Sequence, residues 1–182
     1  MIQLIGLSGK SGVGKDHVAR LLEPLGYKPF SLAWHLKVHI VGTNEATYNE
    51  VFKIKPPRVR TLMQQVGTER GRDVYGDDVW LNHMWTWMRL FGEHWGISKF
   101  VIPDVRFPNE ARFVQDQGGL VFNIMAPERN AQNQLTQEQR QHLSETAMDA
   151  YASYDDILYN DFGQEDTIYT QLISAIARNK ER

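Results

Sequence analysis

The chain has 182 residues, 42% hydrophobic and 23% charged, a composition that predicts one globular domain. A net charge of -2 and a pI near 6.3 show no basic excess, which argues against a stable nucleic-acid partner. The chain has no cysteine and no apolar run of about 18 residues, so disulfides, thiolate metal sites and membrane spans are excluded. We therefore predict a cytoplasmic protein without a membrane partner.

Short apolar runs alternate with helical patterns through the first half of the chain. The apolar start has no basic residue and leads straight into a Gly-rich loop, so we interpret it as a buried strand and not as a signal peptide. Polar residues 42–58 are typical of a loop-rich excursion. The expected elements are a strand at 2–7, a helix ending near 22, a strand at 27–33, helices at 34–41 and 58–65, and a long helix at 77–95.

The second half continues the alternation. The expected elements are a strand at 99–105, a helix at 109–119, a strand at 120–125, a helix at 136–150, a strand at 156–160 and a helix at 164–178. Strands alternating with helices predict an α/β fold, namely a three-layer α/β/α sandwich around a mainly parallel five-stranded sheet with right-handed crossovers. We expect one domain over 1–182, with segments 42–75 and 126–142 as insertions on that core.

A phosphate-binding loop follows the first strand. The stretch GKSGVGK matches the pattern GxxxxGK, and a helical pattern continues after it. In such loops backbone N–H groups and the following helix N-terminus bind phosphate oxygens, and the Lys, here Lys15, reaches the β- and γ-phosphates. The glycines Gly12 and Gly14 allow the close backbone approach that a side chain would block. The alternative is a Gly-rich turn without a ligand.

Asp16 stands where such loops usually carry Ser or Thr, whose hydroxyl holds Mg²⁺. A carboxylate can hold Mg²⁺ directly or through a water molecule. A negative charge is also favourable in the first turn of a helix without any ligand. Both interpretations of Asp16 stay open at this point.

A second carboxylate, Asp104, follows the apolar strand that ends in VIPD. Ligands of open α/β sheets bind at the carboxyl ends of the strands, so Asp104 is a candidate for Mg²⁺ or for orienting an acceptor phosphate. Arg106 could reach the same phosphates. Alternatively, both residues only begin a turn before a helix capped at Asn109.

Arginines cluster in the insertion after the second strand, where a substrate-clamping lobe is expected. Phosphoryl transfer spreads negative charge that guanidinium groups neutralise, although surface arginines are common. Polar neighbours could contact a base or ribose, and Glu69 could instead pair with Arg72. The substrate-binding candidates are Trp34, His35, Arg58, Arg60, Gln65, Thr68, Glu69, Arg70 and Arg72.

The polar segment 126–142 carries Arg129 and Arg140. A lid that closes over a nucleotide is polar, mobile and rich in arginine, and an ordinary surface loop has the same composition. His142 of the stretch HLSE is a candidate catalytic residue, although a structural role is favoured. The aromatic stripe at 80–95 is interpreted as core and not as a base-stacking platform.

These motifs together resemble the phage-type deoxynucleoside monophosphate kinases, which are P-loop NTPases with an adenylate-kinase-like core. The resemblance covers most of the chain in order, and Gly-Lys-Asp in the loop is a further shared feature. The matching stretches are LSGKSGVGKD, FSLAWHLK, RTLMQQVGTERGRDVYGDDVW, VIPDVRFPNEARFVQDQGG, HLSE and YDDILYNDFG.

The resemblance implies ATP and Mg²⁺ as cofactors. It places Asp104 and Arg106 between the phosphate donor ATP and the acceptor nucleotide. It places Arg60, Arg70 and Arg72 at the phosphate of the acceptor monophosphate. Related kinases often carry a lid arginine at the end of the strand, where this chain has NIMAPER, so Arg129 is the candidate for that role. The residues implied to contact ATP are Gly9, Ser11, Gly12, Val13, Gly14, Lys15, Asp16, His17, Arg129 and Asn160, the last in a turn against the adenine.

The expected function is Mg²⁺- and ATP-dependent conversion of a deoxynucleoside 5′-monophosphate to its diphosphate. One rival is another small-molecule P-loop kinase, for example one acting on dephospho-coenzyme A or a sugar acid. Other rivals are an ATPase switch acting on a protein or DNA, and a nucleotide-binding module without turnover. The resemblance leaves a homodimer open, and it implies the host cytoplasm if the chain is phage-encoded.

Overall fold

A computed structural model describes residues 2–132, 136–163 and 165–180 of the chain. Its five strands pair in parallel in the order β2-β3-β1-β4-β5, which confirms the predicted sheet. β1 lies at the centre, so its carboxyl end is flanked by the ends of β3 and β4. The strands are β1 (Gln3–Ser8), β2 (Lys28–Pro29), β3 (Lys99–Ile102), β4 (Leu120–Met125) and β5 (Asp156–Tyr159).

Helices connect these strands. In chain order they are α1 (Lys15–Leu21), α2 (Ala33–Gly42), α3 (Pro57–Gly67), α4 (Asp73–Tyr75), α5 (Val79–Trp95), α6 (Pro108–Asp116), α7 (Pro127–Ala131), α8 (Gln137–Gln141), α9 (Leu143–Thr146) and α10 (Glu165–Lys180), with a 3₁₀ turn at Glu23–Leu25 and π-helical turns at Glu50–Ile54 and Thr68–Arg72. Within the described residues, no helix combines the length and apolar character that a membrane crossing requires.

The chain forms two compact units, and the first comprises the described residues of 1–29 and 97–182. Helices α1 and α10 contact one another, with α1 on β1 and α10 on β5, while α6 contacts β1 and β4. Apolar side chains of the strands and of α1 and α10 form its core, because strands covered by helices bury apolar side chains on both faces. The core includes Ile5, Leu7, Val18, Leu22, Phe122, Leu158, Ile168 and Leu172.

The second unit comprises residues 30–96 and has a core of its own. Ile40 of α2 packs with Val59 and Val66 of α3. Trp80 of α5 donates a hydrogen bond from Nε1 to the Gly67 carbonyl over 2.8 Å, which joins the start of α5 to the end of α3. This unit carries all the substrate-binding candidates.

The second strand is much shorter than the predicted 27–33. It ends at Pro29, because proline has no N–H to continue a ladder, and α2 begins at Ala33. The long helix predicted from residue 77 begins at Val79, with Asp78 at its N-cap. The predicted apolar stripe of α5 is only partly core, since Trp95 is 64% exposed.

The helix predicted over 136–150 is two short helices, α8 and α9. The chain is extended at His142, with φ -60° and ψ 141°, and this breaks the helix. The segment predicted as a polar loop contains α7, which begins at Pro127. Residues 133–135 of that segment lie outside the described residues.

Candidate functional site

The loop between β1 and α1 has the backbone that the glycine pattern predicts. Gly9, Gly12 and Gly14 have positive φ values of 134°, 86° and 89°. A Cβ atom at Gly9 would lie 2.3 Å from the Ile124 carbonyl oxygen, and one at Gly14 would lie 2.3 Å from Nδ2 of Asn160. Both positions therefore require glycine for conformation and for space.

Lys15 begins α1 and folds back over this loop. Its Nζ donates to the carbonyl oxygens of Gly9 over 2.6 Å and of Lys10 over 2.8 Å. Burial, and secondarily the charge of Arg106, lowers the pKa of Lys15 to about 8, although nearby carboxylates oppose this shift. A nearby phosphate would stabilise the charged form of this buried ammonium group.

Asp104 and Arg106 follow β3, in the turn before α6. The N–H of Val105 donates to the Leu7 carbonyl of β1 over 3.1 Å, which ties this turn to the central strand. Glu110 accepts from the backbone N–H groups of Arg106 over 2.6 Å and of Phe107 over 3.1 Å. The expected alternative cap at Asn109 is wrong, since α6 is capped at Phe107 through Glu110.

Glu145 of α9 contacts both the loop and the turn after β3. Its carboxylate accepts from the Ser11 N–H over 3.1 Å and from Nη1 of Arg106 over 2.5 Å. Its backbone carbonyl accepts from Nζ of Lys10 over 2.6 Å, and Lys10 also pairs with Asp149. Lys10, Glu145 and Asp149 are site residues that the sequence did not predict.

A cavity of about 390 Å³ opens beside this cluster, inside the first unit. It lies at the carboxyl ends of β1 and β4, where ligands of parallel sheets bind. Its wall is both polar and apolar, which suits a ligand with charged and flat parts. The lining includes Gly9, Lys10, Arg106, Asn123, Glu145 and Tyr154.

Asn160, at the end of β5, contacts the backbone of the phosphate loop. It is 1% exposed, and its Nδ2 donates to the Val13 carbonyl oxygen over 2.8 Å. The two polar groups of a trans peptide point in opposite directions, so the Gly14 N–H is directed away from Asn160. Oδ1 of Asn160 is buried and has no hydrogen-bond partner within the part of the chain that the structure describes.

The next residue, Asp161, joins the turn after β5 to α7. Its carboxylate accepts from the backbone N–H groups of Glu128 and Arg129, each over 3.1 Å at the shortest. The guanidinium carbon of Arg129 lies 4.9 Å from the ring centroid of Phe162. Arg129 is thus placed over the 160–163 turn.

Other predicted residues of the first unit differ in exposure. Asp16 and His17 are exposed in the first turn of α1, and Asp104 is half-buried. Val13 is 2% exposed and belongs to the core, so only its backbone can face a ligand. Among the described residues, no group of three or more His, Asp or Glu side chains could by itself hold a metal ion.

In the second unit, each of the four predicted arginines has a protein partner, and Arg58 pairs with Glu50. Arg70 pairs with Glu45, with Nη1 and Oε2 2.5 Å apart. Arg72 is 8% exposed and donates from Nη1 to the Asp77 carbonyl over 3.0 Å, a contact that supports the start of α5. Their assignment to a phosphate stays a prediction.

Most of the other substrate-binding candidates are exposed. Trp34 is 39% exposed on α2, with its ring edge-on to Phe30. Arg60 is exposed on α3 and donates from Nε to the Lys55 carbonyl over 3.1 Å. Gln65 and Glu69 are exposed and Thr68 is half-buried, in the stretch where α3 passes into a π-helical turn.

Comparisons with solved structures support the fold. The protein TT1252 from Thermus thermophilus aligns with a TM-score of 0.56 at 19% identity, over 97% of each chain. The dephospho-CoA kinase from Campylobacter jejuni aligns at 0.54 and 14%, over 98% of this chain and all of that one. Shikimate kinase from Aquifex aeolicus aligns at 0.53 and 13%, over 97% and 98%. The fold is therefore the three-layer α/β/α fold of P-loop kinases.

The sequence comparisons assign the family. No protein-family model matches the chain. A curated relative from Acanthamoeba polyphaga mimivirus, described as "Putative deoxynucleotide monophosphate kinase", is 30% identical over 192 residues. The match covers 95% of this chain and 95% of the relative. With a P-loop kinase fold and a relative of this identity and coverage, the chain belongs to the deoxynucleotide monophosphate kinase family.

Proposed function

We propose that the protein transfers the γ-phosphoryl group of ATP to the 5′-phosphate of a deoxynucleoside monophosphate, yielding ADP and the deoxynucleoside diphosphate. The phosphate loop carries this proposal. It combines three glycines of positive φ with Lys15, and it stands beside Asp104 and Arg106 at the carboxyl end of the central strand. The relative's description supports a deoxynucleotide acceptor.

The acceptor phosphate is already a nucleophile, so catalysis consists of alignment and charge neutralisation without a covalent intermediate. The backbone N–H groups of the loop and the ammonium of Lys15 would hold the β- and γ-phosphates. The guanidinium of Arg106 would neutralise charge that develops on the transferred group. Asp104 would orient the acceptor or the metal.

Magnesium fits the carboxylates of this site. Mg²⁺ is usually held by one or two carboxylates together with substrate phosphates and water, and not by an all-protein cage. Asp16, exposed after Lys15, and Asp104, half-buried after β3, supply that donor set. When bound, Mg²⁺ would neutralise phosphate charge, and these two carboxylates would hold it.

The turn at 160–163 and Arg129 are proposed to contact the adenosine half of ATP. The exposed Phe162 offers a flat apolar face, and Arg129 stacks over the same ring. Asn160 acts through the loop backbone that it supports. The acceptor is assigned to the second unit, to Trp34, Arg60, Gln65, Thr68, Glu69, Arg70 and Arg72.

A panel of acceptors tests the proposal. ATP and Mg²⁺ are incubated with each common deoxy- and ribonucleoside 5′-monophosphate, with dephospho-coenzyme A and with shikimate, and products are separated by ion-exchange chromatography. We expect diphosphate formation from at least one deoxynucleotide, and none with Lys15→Ala. Turnover of a non-nucleotide acceptor alone would assign a different small-molecule kinase. ATP hydrolysis that no acceptor changes would indicate an ATPase.

A further inference from the structure

The short helix α9 brings one carboxylate into contact with two parts of the candidate site. Glu145 accepts from the Ser11 N–H of the phosphate loop and from Nη1 of Arg106. Its side chain is only 11% exposed, so these bonds lie in a poorly solvated place. A charged hydrogen bond of this kind is stronger than one at the open surface.

The backbone of Glu145 is held in place from both sides. Its N–H donates to the His142 carbonyl over 2.8 Å, and its own carbonyl accepts from Nζ of Lys10 over 2.6 Å. His142 in turn accepts at Nδ1 from the Ser144 N–H over 3.2 Å. The stretch HLSE therefore presents the Glu145 carboxylate in a defined position, and His142 has a capping role.

The backbone of Arg106 is held by a hydrogen bond, while its side chain is long. Its N–H donates to Glu110, while its side chain is 37% exposed and donates from Nη1 to Glu145 and to the Ser144 carbonyl over 3.4 Å. An arginine side chain has several rotatable bonds, and ordering them opposes binding. A partner that orders the guanidinium before the substrate arrives removes part of that cost.

We propose that Glu145 is a positioning residue of the phosphoryl-transfer reaction, holding the guanidinium of Arg106 beside the phosphate loop. The inference rests on the proposed function, in which Arg106 neutralises charge in the transition state. A contact that matters mainly in the transition state changes kcat more than the binding of ATP. In this scheme Glu145 affects the reaction through Arg106 and takes no part in the bonds that form or break.

The test is a double-mutant cycle on steady-state kinetics, with the acceptor that the panel identifies. Glu145→Gln keeps the size and a hydrogen-bonding oxygen but removes the charge, and we expect kcat to fall about 10- to 100-fold with KM for ATP nearly unchanged. The kcat of Glu145→Asp, which keeps the charge but is one methylene shorter, should lie between those of the wild type and Glu145→Gln. The double variant Glu145→Gln/Arg106→Gln should be no slower than Arg106→Gln alone. Glu93→Gln, an exposed change on α5, is the matched control and should leave kcat unchanged.

Three results would overturn the inference. The first is an unchanged kcat in Glu145→Gln. The second is a double variant in which the kcat losses of the two single variants multiply. The third is tighter ATP binding by Glu145→Gln at unchanged kcat, which would mean that the carboxylate only occupies a phosphate position. Thermal unfolding of each variant separates loss of fold from loss of rate. Failure of the proposed function is distinct, since the wild-type protein would then phosphorylate no nucleoside monophosphate at all.

Discussion

The affinity for nucleotide should fall at mildly alkaline pH, because the charge of Lys15 is lost there. Its pKa is lowered to about 8 by burial and by Arg106, against a usual value of 10.5. The charged form, which attracts phosphate, therefore dominates below about pH 8 and disappears above it. An unperturbed lysine would keep its charge through the whole range.

If only the charged form binds, the apparent Kd scales with one plus the ratio of neutral to charged Lys15. Between pH 7 and pH 9 this factor rises about tenfold, equivalent to about 1.4 kcal/mol, and it rises about tenfold more for each further pH unit. Near pH 8, binding should take up about half a proton per nucleotide.

Isothermal titration calorimetry with a non-hydrolysable ATP analogue at constant free Mg²⁺ measures both quantities. Titrations in buffers of different ionisation enthalpy report the proton uptake. Lys15→Arg is the control, because a guanidinium stays charged throughout, and its Kd should change much less. In Glu145→Gln the decline should begin at lower pH, since the Glu145 charge raises the pKa of Lys15. A parallel decline in wild type and Lys15→Arg, or a flat wild-type profile to pH 9.5, would refute the reasoning.

Three further changes have defined outcomes. Asp16→Ala should weaken binding of ATP with Mg²⁺ more than binding without metal, measured by titrations with and without EDTA; equal losses would leave Asp16 only a helix-start residue. Gly71→Ala should lower the free energy of unfolding by about 1–3 kcal/mol in urea titrations, because its Cβ would lie 2.5 Å from Cζ2 of Trp80, and an unchanged midpoint would contradict this packing. Asn160→Asp replaces the Nδ2 donor with an oxygen that faces the Val13 carbonyl oxygen. We expect about tenfold weaker ATP binding in calorimetry, with kcat largely kept. Unaltered binding would show that the loop does not need this hydrogen bond.

The strand–loop–helix order of the first unit could be predicted because its signals are local. The boundaries of β4 are those predicted, since LVFNIM is a largely apolar run that follows a Gly pair and ends two residues before Pro127. The phosphate loop was equally predictable, because glycine at positive φ and a following lysine belong to one short stretch.

Other parts of the site depend on contacts between distant residues. Nothing in the sequence around Glu145 says that its carboxylate meets Ser11, which is 134 positions away. Arg72 could not be distinguished from a surface arginine until its bond to the Asp77 carbonyl was seen. Trp95 follows the helical period of α5 yet is exposed, because periodicity identifies a face and not what covers it.

The bond between Asp161 and the start of α7 has a mechanical consequence for segment 126–142. Two backbone N–H groups of its first turn are fastened to the turn after β5, so the beginning of the segment moves with the sheet. Helix α7 should therefore keep its place on the sheet in any rearrangement of this segment. Arg129 would then bind nucleotide from a fixed position. If an arginine of this segment moves toward the nucleotide, it would be Arg140.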